Sequence, residues 1–483
     1  MYVLLASISI PMAAAVAALF VRSWRAGSVV AGGALACSAL LLGLAAVAVS
    51  EGGRMPVEYY AVAPQQGLLV FEGDGFNLLF ALIAAALGAM IAVYSGAYMA
   101  KSQSPAAFYS LYLIYVAAME GTMLSGSLTT FFLFFELSLI PSWALIAYWG
   151  GRGSEGAALK YLLFTEAGAL ITMVGIAVMY DRYGALEFAV LRERLSGVSP
   201  SELLLPAALL SIGPLVKMAI FPLHAWLPDA YVEAPTPVTA ALSSIMVGLG
   251  SWALVKILIY SMPAVLSLQA FRASLMVMAG VTMIYGGVCA LVQSDLKRLL
   301  AYSSISQMGY VLLGIAGGGQ VGIVSTALFY VGQGLAKAAL FMIVGYLELE
   351  AETRNVDRLG GLARVLPISA IATLTAFLSL AGVPPLVGFW AELEAFWGAL
   401  ASVAELHSTV PIAAVVALLA STTITAAYGL WTVKRVFYGK LPEELRLRER
   451  YGVVTLAPLI LAVLLALLGA WPTCLVRMAL LLG

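Results

Sequence analysis

The sequence predicts an all-α membrane protein of about fourteen transmembrane helices, with two inverted five-helix repeats that each contain a broken helix. Of its 483 residues, 62% are hydrophobic and only 10% are charged, and the mean hydropathy is +1.00. A soluble domain carries roughly 25% charged residues, so this chain belongs in a bilayer. At about 20 residues per crossing, with short loops, the length suits about fourteen helices.

Apolar runs follow one another along the whole chain, with no soluble domain between them. We predict helices near residues 2–22, 28–49, 76–99, 108–125, 127–149, 157–180, 203–222, 237–260, 273–292, 299–317, 321–347, 367–400, 411–437 and 452–480. The first run begins at Met1 without a charged segment, which favours a retained helix over a cleaved signal. Most of the 25 basic residues fall in loops on one side. Since Lys and Arg mark the cytoplasmic side, we expect both termini outside.

The helix near 203–222 is predicted to be broken. Pro214 and Pro222 bracket Lys217, and a proline inside a helix removes a backbone hydrogen bond and clashes with the preceding turn. A charge at membrane depth is costly and is usually kept for function. The stretch therefore predicts an ionisable group beside a helix break.

A second helix, near 367–400, shows the same features. Pro384 and Pro385 interrupt it, and Glu392 follows. Two interrupted, charged helices about five helices apart indicate an inverted repeat, in which transport sites lie near the midplane. The predicted domains are residues 1–107 (helices 1–3), 108–260 (first repeat, helices 4–8), 273–437 (second repeat, helices 9–13) and 438–483 (helix 14).

Glu136 and Lys217 are interpreted as a proton-transfer pair. Burial raises the pKa of a carboxyl and lowers that of an amine, whereas pairing does the reverse. A buried pair whose separation can change would therefore hold or release a proton. The alternative for Glu136 is a carboxyl that reaches the membrane interface.

Lys337 and Glu392 are the predicted continuation of this pathway. Gln333 lies four residues before Lys337, on the same helix face, and can hold a water molecule. Glu392 is the predicted outlet, whereas Glu394 cannot share its face. The alternative for Lys337 is a side chain that extends to the interface.

Three further charged residues lie inside apolar runs, and each has a structural alternative to a role in the relay. Lys256 lies near a helix end, where anchoring at the interface is an equal alternative. Glu166 is a relay candidate and a packing or interface carboxyl in the alternative, and the same alternatives apply to Glu120.

Metal and redox chemistry have no predicted place in this chain. Its three cysteines are far apart and form no CxxC motif, and there are only two histidines, which excludes iron–sulfur and c-type haem motifs. His224, Asp229 and Glu233 have the wrong spacing for a metal triad, so we expect loop capping and contact with a neighbouring subunit. No nucleotide-binding fingerprint is present, and the zero net charge gives no indication of nucleic acid.

The stretch QSDLKRLLAYSS is predicted to be a short inner loop that enters a helix. Asp295 is expected to cap the helix start. Lys297 and Arg298 are expected to anchor the inner face.

Four motifs carry a family resemblance. The runs FFLFFELSLIPSWALIAYWG, FPLHAWLPDAYVEAPTPVTAALSS, QSDLKRLLAYSSISQMGYVLLG and GLAKAALF closely resemble the proton-translocating antiporter-like subunits. Such subunits occur in respiratory complex I, in related membrane-bound hydrogenases and in Mrp-type sodium/proton antiporters. The resemblance runs from about Asp74 to Trp471 and is nearest to the M-type subunit, which is chain 4 in mitochondria.

The resemblance implies specific roles for the charged residues. Glu136 and Lys217 match the family's glutamate–lysine pair, Lys337 matches its central lysine, and Glu392 matches the M-type exit glutamate. It also implies that this chain holds no cofactor. Flavin, Fe–S clusters or a quinone-type carrier would belong to peripheral redox partner subunits, and other antiporter-like and small membrane subunits would adjoin it in the bilayer.

The sequence departs from the family pattern in the middle of the relay. Gly248 stands in MVGLG where the family often has a lysine, in a stretch like MVKxG. Ser243 or Ser244 and Gln333 stand where histidines are frequent. We expect waters held by the serines and Gln333 to bridge these positions.

Three functions remain open from the sequence. The first is a proton-translocating subunit of a complex I-like assembly, the second is an Mrp-type sodium/proton antiporter subunit, and the third is a structural subunit with a degenerate channel. The many arginines, alanines and glycines and the few lysines fit a GC-rich prokaryote, so the expected location is a prokaryotic cell membrane.

Overall fold

The computed structural model describes residues 2–61, 68–406, 408–442, 448–450 and 452–482, and nearly all of these are helical. The α-helices are α1 (Val3–Ala18), α2 (Trp24–Ser50), α3 (Gly75–Tyr98), α4 (Pro105–Met123), α5 (Leu128–Leu137), α6 (Leu139–Trp149), α7 (Ser154–Tyr183), α8 (Phe188–Arg194), α9 (Pro200–Lys217), α10 (Leu227–Glu233), α11 (Thr236–Ala241), α12 (Val247–Leu254), α13 (Gln269–Leu291), α14 (Leu296–Gly317), α15 (Gly319–Ala351), α16 (Pro367–Leu380), α17 (Val387–Leu406), α18 (Val410–Phe437), α19 (Val453–Ala470) and α20 (Thr473–Leu480). Two antiparallel strands, β1 (Val57–Ala61) and β2 (Leu68–Glu72), lie between α2 and α3. The all-helical membrane architecture that composition predicted is confirmed.

Burial divides the bundle into a centre and a lipid-facing periphery. Within the described residues, ten helices are long and apolar enough to cross a bilayer. The most apolar windows of α15 and of the continuous stretch Thr236–Ser261 are fully buried, whereas those of α2 and α18 are only 28% buried. The two fully buried segments, α15 and Thr236–Ser261, therefore form the centre, and they are less apolar (mean hydropathy 1.6 and 1.8) than the peripheral α2 and α18 (2.2 and 2.0).

The central stretch Thr236–Ser261 is not a uniform α-helix. π-Helical turns at Leu242–Met246 and Val255–Ser261 flank α12. Such turns widen a helix locally and frequently occur at functional sites. Ser243 lies in the first π-helical turn and Lys256 in the second, which places both candidates on widened backbone.

The first broken helix is interrupted between Pro214 and Pro222, as predicted. Pro206 and Pro214 both lie inside α9, which ends at Lys217. Ala219 then adopts a φ of 52°, a left-handed conformation that is uncommon for a residue other than glycine. The Val216 carbonyl near this end accepts from the Ala219 amide at 2.9 Å and from the Trp226 indole at 3.0 Å.

The second broken helix ends at Leu380 and resumes in α17 at Val387. The side-chain amide of Gln307 donates to the Leu380 carbonyl at 3.0 Å. Gly382 follows with a φ of 63°, and a Cβ there would lie 2.5 Å from Glu392 Oε2. Glycine at this position therefore permits both the sharp turn and the close approach of the carboxyl.

The predicted helix 127–149 is divided at Ser138 into α5 and α6. Pro141 has no N–H for the Leu137 carbonyl four residues earlier, which accounts for the division. Glu136 therefore occupies the penultimate position of α5, beside this irregularity.

One other predicted helix needs correction, and one element was missed. The last predicted helix, 452–480, ends at Ala470, and the separate helix α20 follows Pro472. The β-hairpin was not predicted at all. Its strands pair Val57 with Glu72 and Tyr59 with Val70, so β-branched and aromatic residues there were the available signal.

Candidate functional site

Glu136 and Lys217 lie in the same region of the structure, but they form no ion pair. Lys217 is 1% exposed, and it interacts electrostatically with Glu136 and Glu166. Among the described residues, no carboxylate oxygen forms an ion pair with Lys217 within the 4.0 Å limit. The Lys217 ammonium instead donates to Ser138 Oγ at 3.4 Å and lies 4.7 Å from the centre of the Phe135 ring.

Glu166 joins this first cluster. It extends from α7, and its carboxyl interacts electrostatically with that of Glu136. Glu136 Oε1 is buried and has no hydrogen-bond partner among the described residues. Two carboxyl groups thus face one lysine, an arrangement that can share a proton.

Lys337 lies at the centre of the bundle, in α15, and is fully buried. Its ammonium donates to the Leu300 carbonyl at 3.1 Å and to Ser303 Oγ at 2.7 Å. In the described part of the chain, no ion pair to Lys337 is found. The side chain is therefore held inside the protein by uncharged acceptors.

Glu392 lies in α17 beside the second helix break and is 8% exposed. Its Oε2 accepts a hydrogen bond from Thr422 at 2.8 Å. The Tyr310 hydroxyl shares a longer hydrogen bond of 3.4 Å with the same threonine. The carboxyl is thus surrounded by hydroxyl groups rather than by cations.

A series of hydroxyl groups lies between Lys337 and Glu392. Ser303, which accepts from Lys337, also shares a 2.7 Å hydrogen bond with the Tyr428 hydroxyl. Thr425 interacts with both Tyr428 and Tyr310, although its hydroxyl has no partner within hydrogen-bond distance among the described residues. Tyr310 links Thr425 to Thr422, with which it shares a 3.4 Å hydrogen bond. We call the seven residues Lys337, Ser303, Tyr428, Thr425, Tyr310, Thr422 and Glu392 the exit route.

The hydroxyl members of the exit route were not predicted from the sequence. Serine, threonine and tyrosine are common in the helices of this chain, and their spacing does not distinguish them. The available signal was Tyr428 and Thr425, three residues apart and on one face of α18.

Lys256 has its own carboxylate partners. It is fully buried, and its ammonium lies 2.5 Å from Asp74 Oδ2 and 3.3 Å from Glu72 Oε2. Burial raises the pKa of Glu72 at the end of β2, and the neighbouring Lys256 opposes this shift. The ammonium is directed to carboxylates at the start of α3 and not to lipid headgroups.

Gln333, Ser243 and Ser244 lie next to one another, but they differ in their contacts. Gln333 Nε2 donates to the Ser243 carbonyl at 3.3 Å, and its Oε1 is buried without a partner in the described residues. Ser243 Oγ shares a 3.0 Å hydrogen bond with Ser304. Ser244 donates to the Ala240 carbonyl of its own helix, so its hydroxyl proton is occupied locally.

An aromatic ring occupies the space beside Gly248. A Cβ at Gly248 would lie 2.1 Å from the Tyr330 ring, and that ring stacks on Phe80 with centroids 4.1 Å apart. The Tyr330 hydroxyl points to the Phe80 carbonyl at 3.3 Å. No side chain of lysine size fits at position 248 with Tyr330 in this position.

The polar loop before α11 is a network of local contacts. Asp229 accepts from Lys160 at 2.7 Å, and Glu233 accepts from the Gly153 amide at 3.0 Å. His224 packs against the Phe221 and Tyr285 rings. A search of the described residues finds no group of three His, Cys, Asp or Glu side chains that could hold a metal ion.

The loop before α14 contains one confirmed prediction and one error. Asp295 Oδ1 accepts from the Arg298 amide at 2.9 Å, which confirms the helix cap. Lys297 does not anchor the membrane face, because it is 2% exposed and donates to the Ala234 carbonyl at 2.9 Å. Its other neighbour is Glu348, at 3.8 Å.

Comparison with known proteins identifies the family of this chain. A family model described as NADH:quinone oxidoreductase/Mrp antiporter matches residues 125–425. Subunit N of NADH-quinone oxidoreductase from Desulforudis audaxviator is 34% identical over 375 residues, which are 76% of this chain and 74% of that protein. Chain 4 of the NAD(P)H-quinone oxidoreductase from Synechococcus sp. is 35% identical over 385 residues, 77% of this chain and 71% of that protein.

The fold is also similar to that of a solved structure. A chain of the Mrp complex from Dietzia sp. DQ12-45-1b superposes with a TM-score of 0.87 and 23% identity, over 99% of this chain and 96% of that one. The family model and the two relatives point to the same family as the motifs around Glu136, Lys217 and Lys337. The chain belongs to the NADH:quinone oxidoreductase/Mrp antiporter family of membrane proteins.

Proposed function

We propose that this chain is the proton-translocating membrane subunit of a complex I-like respiratory or hydrogenase-type oxidoreductase. The main support for this proposal is the burial of its ionisable residues. Lys217, Lys337 and Glu392 are all buried inside the protein, and each contacts polar groups instead of lipid. Ionisable side chains are costly at this depth and typically mark ion pathways.

In the first half, the Glu136–Lys217 pair acts as a switch. When the carboxylates of Glu136 and Glu166 approach Lys217, its charged form is stabilised. When they move away, a buried ammonium without a nearby carboxylate is driven to release its proton. Lys217 lies at the end of α9, so a small movement at that break changes the separation.

In the second half, the proton passes from Lys337 to Glu392 along the exit route. The serine, threonine and tyrosine hydroxyls on this route can each accept one hydrogen bond and donate another. Glu392 then holds the proton until it is released. Gln307 and Gly382 fix the broken helix around this carboxyl.

The wider architecture follows from the same assignment. Fourteen crossings would form two inverted repeats over residues 108–260 and 273–437, each with one broken helix. Both termini would lie outside a prokaryotic cell membrane, because the loops with most Lys and Arg would then face the cytoplasm. The breaks after Lys217 and Leu380 support this pairing of halves.

Redox chemistry belongs to partner subunits in this proposal. The relatives are named as subunits of quinone oxidoreductases, and a flavin, Fe–S clusters or a quinone-type carrier would reside in their peripheral counterparts. Other antiporter-like and small membrane subunits would flank this chain in the bilayer, and coupling would reach it mechanically or electrostatically.

The test is proton translocation by the intact complex. The complex is purified through a tag on this chain, its subunits are identified, and it is reconstituted into vesicles with a pH-sensitive dye. We expect Lys217→Ala and Glu136→Ala to abolish translocation through this subunit while the complex still assembles. Normal translocation by both variants would overturn the proposal.

The solved Mrp complex makes a cation/proton antiporter subunit the second candidate. The subunit composition of the purified complex separates the two: quinone- and Fe–S-binding partners support the oxidoreductase, and small antiporter subunits without redox centres support the antiporter. Sodium-dependent proton exchange without an electron donor would be decisive for the second candidate.

A structural subunit with a degenerate channel is the third candidate. It is favoured by the Tyr330 ring beside Gly248, which leaves no room for a titratable side chain there. Under this candidate, Lys217→Ala would leave the proton yield of the complex unchanged.

A further inference from the structure

Three buried tyrosines converge between the surroundings of Lys217 and those of Lys337. Tyr115 comes from α4, Tyr161 from α7 and Tyr231 from α10, and each is 0% exposed. Each hydroxyl is close enough to interact electrostatically with the others. Three polar groups from separate helices thus meet in the interior.

Two of these hydroxyls lack partners. The Tyr115 and Tyr231 oxygens are buried and have no hydrogen-bond partner among the described residues. A buried tyrosine hydroxyl usually finds one, as Tyr94 does by donating to the Met342 carbonyl at 2.9 Å. A buried site with several unpaired polar groups is where a water molecule is stabilised.

Tyr161 connects this site to the first half. Its hydroxyl shares a 2.8 Å hydrogen bond with Ser142, and it interacts electrostatically with Glu136. Ser142 also donates to the Ser138 carbonyl at 2.8 Å. The Tyr161 hydroxyl therefore lies in the same region as Glu136, the carboxyl that pairs with Lys217 in the proposed function.

Ser243 connects the site to the second half. The Tyr231 hydroxyl interacts with Ser243, beyond the distance of a direct hydrogen bond. Ser243 shares its 3.0 Å hydrogen bond with Ser304, which donates to the Leu300 carbonyl at 2.9 Å. Lys337 donates to that same carbonyl at 3.1 Å.

We propose that Tyr115, Tyr161, Tyr231 and Ser243 form a hydroxyl bridge that holds water and passes the proton between Lys217 and Lys337. The inference rests on the proposed function and deepens it. The bridge would do without a titratable side chain at position 248, where Tyr330 closes the space.

The transfer balances without any charged intermediate side chain on the bridge. A proton from the Glu136–Lys217 pair bonds to the oxygen at one end, and each oxygen passes its own proton to the next acceptor. Water beside Ser243 delivers the last proton to the neutral amine of Lys337, because the Leu300 carbonyl accepts from both Ser304 and Lys337 but has no proton to pass on. One proton has then crossed, and every hydroxyl must rotate back before the next transfer.

The experiment removes single hydroxyl groups and retains the ring. Tyr115→Phe, Tyr161→Phe, Tyr231→Phe and the double variant Tyr115→Phe/Tyr231→Phe are made in the complete complex in vesicles. Removal of a proton-transfer group typically slows a step by about 100-fold or more, so we expect Tyr231→Phe to lower the translocation rate at least about tenfold. Tyr94→Phe is the matched control, because it removes a satisfied hydroxyl outside the bridge, and it should retain its rate.

A second measurement distinguishes transfer from packing. The thermal midpoint of the Tyr231→Phe complex should equal that of the unmodified complex, and a high-resolution map of the unmodified complex should show water within hydrogen-bond distance of Tyr115 and Tyr231. Normal translocation by the double variant, or a dry site in the map, would overturn the bridge. If Lys217→Ala also translocates normally, the proposed function fails as well; if it does not, only the bridge fails.

Discussion

At the scale of single residues, the buried lysines of this chain differ in their partners. Lys256 donates to the Asp74 and Glu72 carboxylates, whereas the described hydrogen bonds of Lys217 and Lys337 go to hydroxyl and carbonyl oxygens. A lysine with a close carboxylate is held in its charged form, and one without is free to exchange its proton. This difference supports a structural role for Lys256, whereas Lys217 and Lys337 belong to the proposed proton pathway.

The assignment of Lys256 can be tested by removing its charge. Lys256→Met leaves the buried Asp74 carboxylate without its cationic partner, which typically costs about 3–5 kcal/mol. We expect a lower thermal midpoint of the purified complex, and we expect Lys256→Met/Asp74→Asn to recover part of it. Loss of proton translocation at unchanged stability would instead place Lys256 in the relay.

Glu392 should require a carboxyl that can ionise. Glu392→Gln keeps an oxygen for the Thr422 hydroxyl but cannot take up and release a proton, so proton translocation should be lost in a complex that assembles normally. The matched control is Glu394→Gln, two residues later and half-buried, which should translocate. Equal rates for the two variants would contradict the outlet assignment.

At the scale of elements, the sequence predicted which segments are helical better than it predicted where the broken helices end. The apolar runs and the prolines located the broken helices, but not the residue at which each one ends, since α9 contains Pro206 and Pro214 and ends at Lys217. The side chains that satisfy the broken ends, Trp226 and Gln307, come from other parts of the fold. No local pattern could identify them, because their role depends on tertiary packing.

The close packing of α12 on α15 gives a prediction about Gly248. Gly248→Ala places a Cβ 2.1 Å from the Tyr330 ring, and such overpacking typically costs about 1–3 kcal/mol. Thermal unfolding of the purified complex should show the loss, and Gly248→Ala/Tyr330→Leu should restore it. Gly156→Ala is the control, since nothing lies within 4 Å of its Cβ. A Gly248→Ala variant as stable as this control would show that the ring can move aside.

At the scale of the whole molecule, the charged residues could be predicted but not the groups that join them. Glu136, Lys217, Lys337 and Glu392 stand out because charge is rare in this chain. The hydroxyls of Tyr161, Ser303 and Tyr428 do not, because similar residues are common throughout the helices. Their relation appears only when separate helices bring them within hydrogen-bond distance.

Lys337 lies between the proposed hydroxyl bridge and the exit route, since it shares the Leu300 carbonyl with Ser304 and donates to Ser303. Because Lys337 is fully buried in the central helix α15, its replacement should interrupt proton transfer between the two halves. A cation at the protein surface, such as Lys434 over the Trp431 ring, has no such role and provides the control.

The most direct measurement is the number of protons translocated per electron pair by the reconstituted complex with Lys337→Ala. The account predicts that this ratio falls, while electron transfer continues and the complex retains all its subunits, and that Lys434→Ala leaves the ratio unchanged. An unchanged ratio in the Lys337→Ala complex would contradict the account.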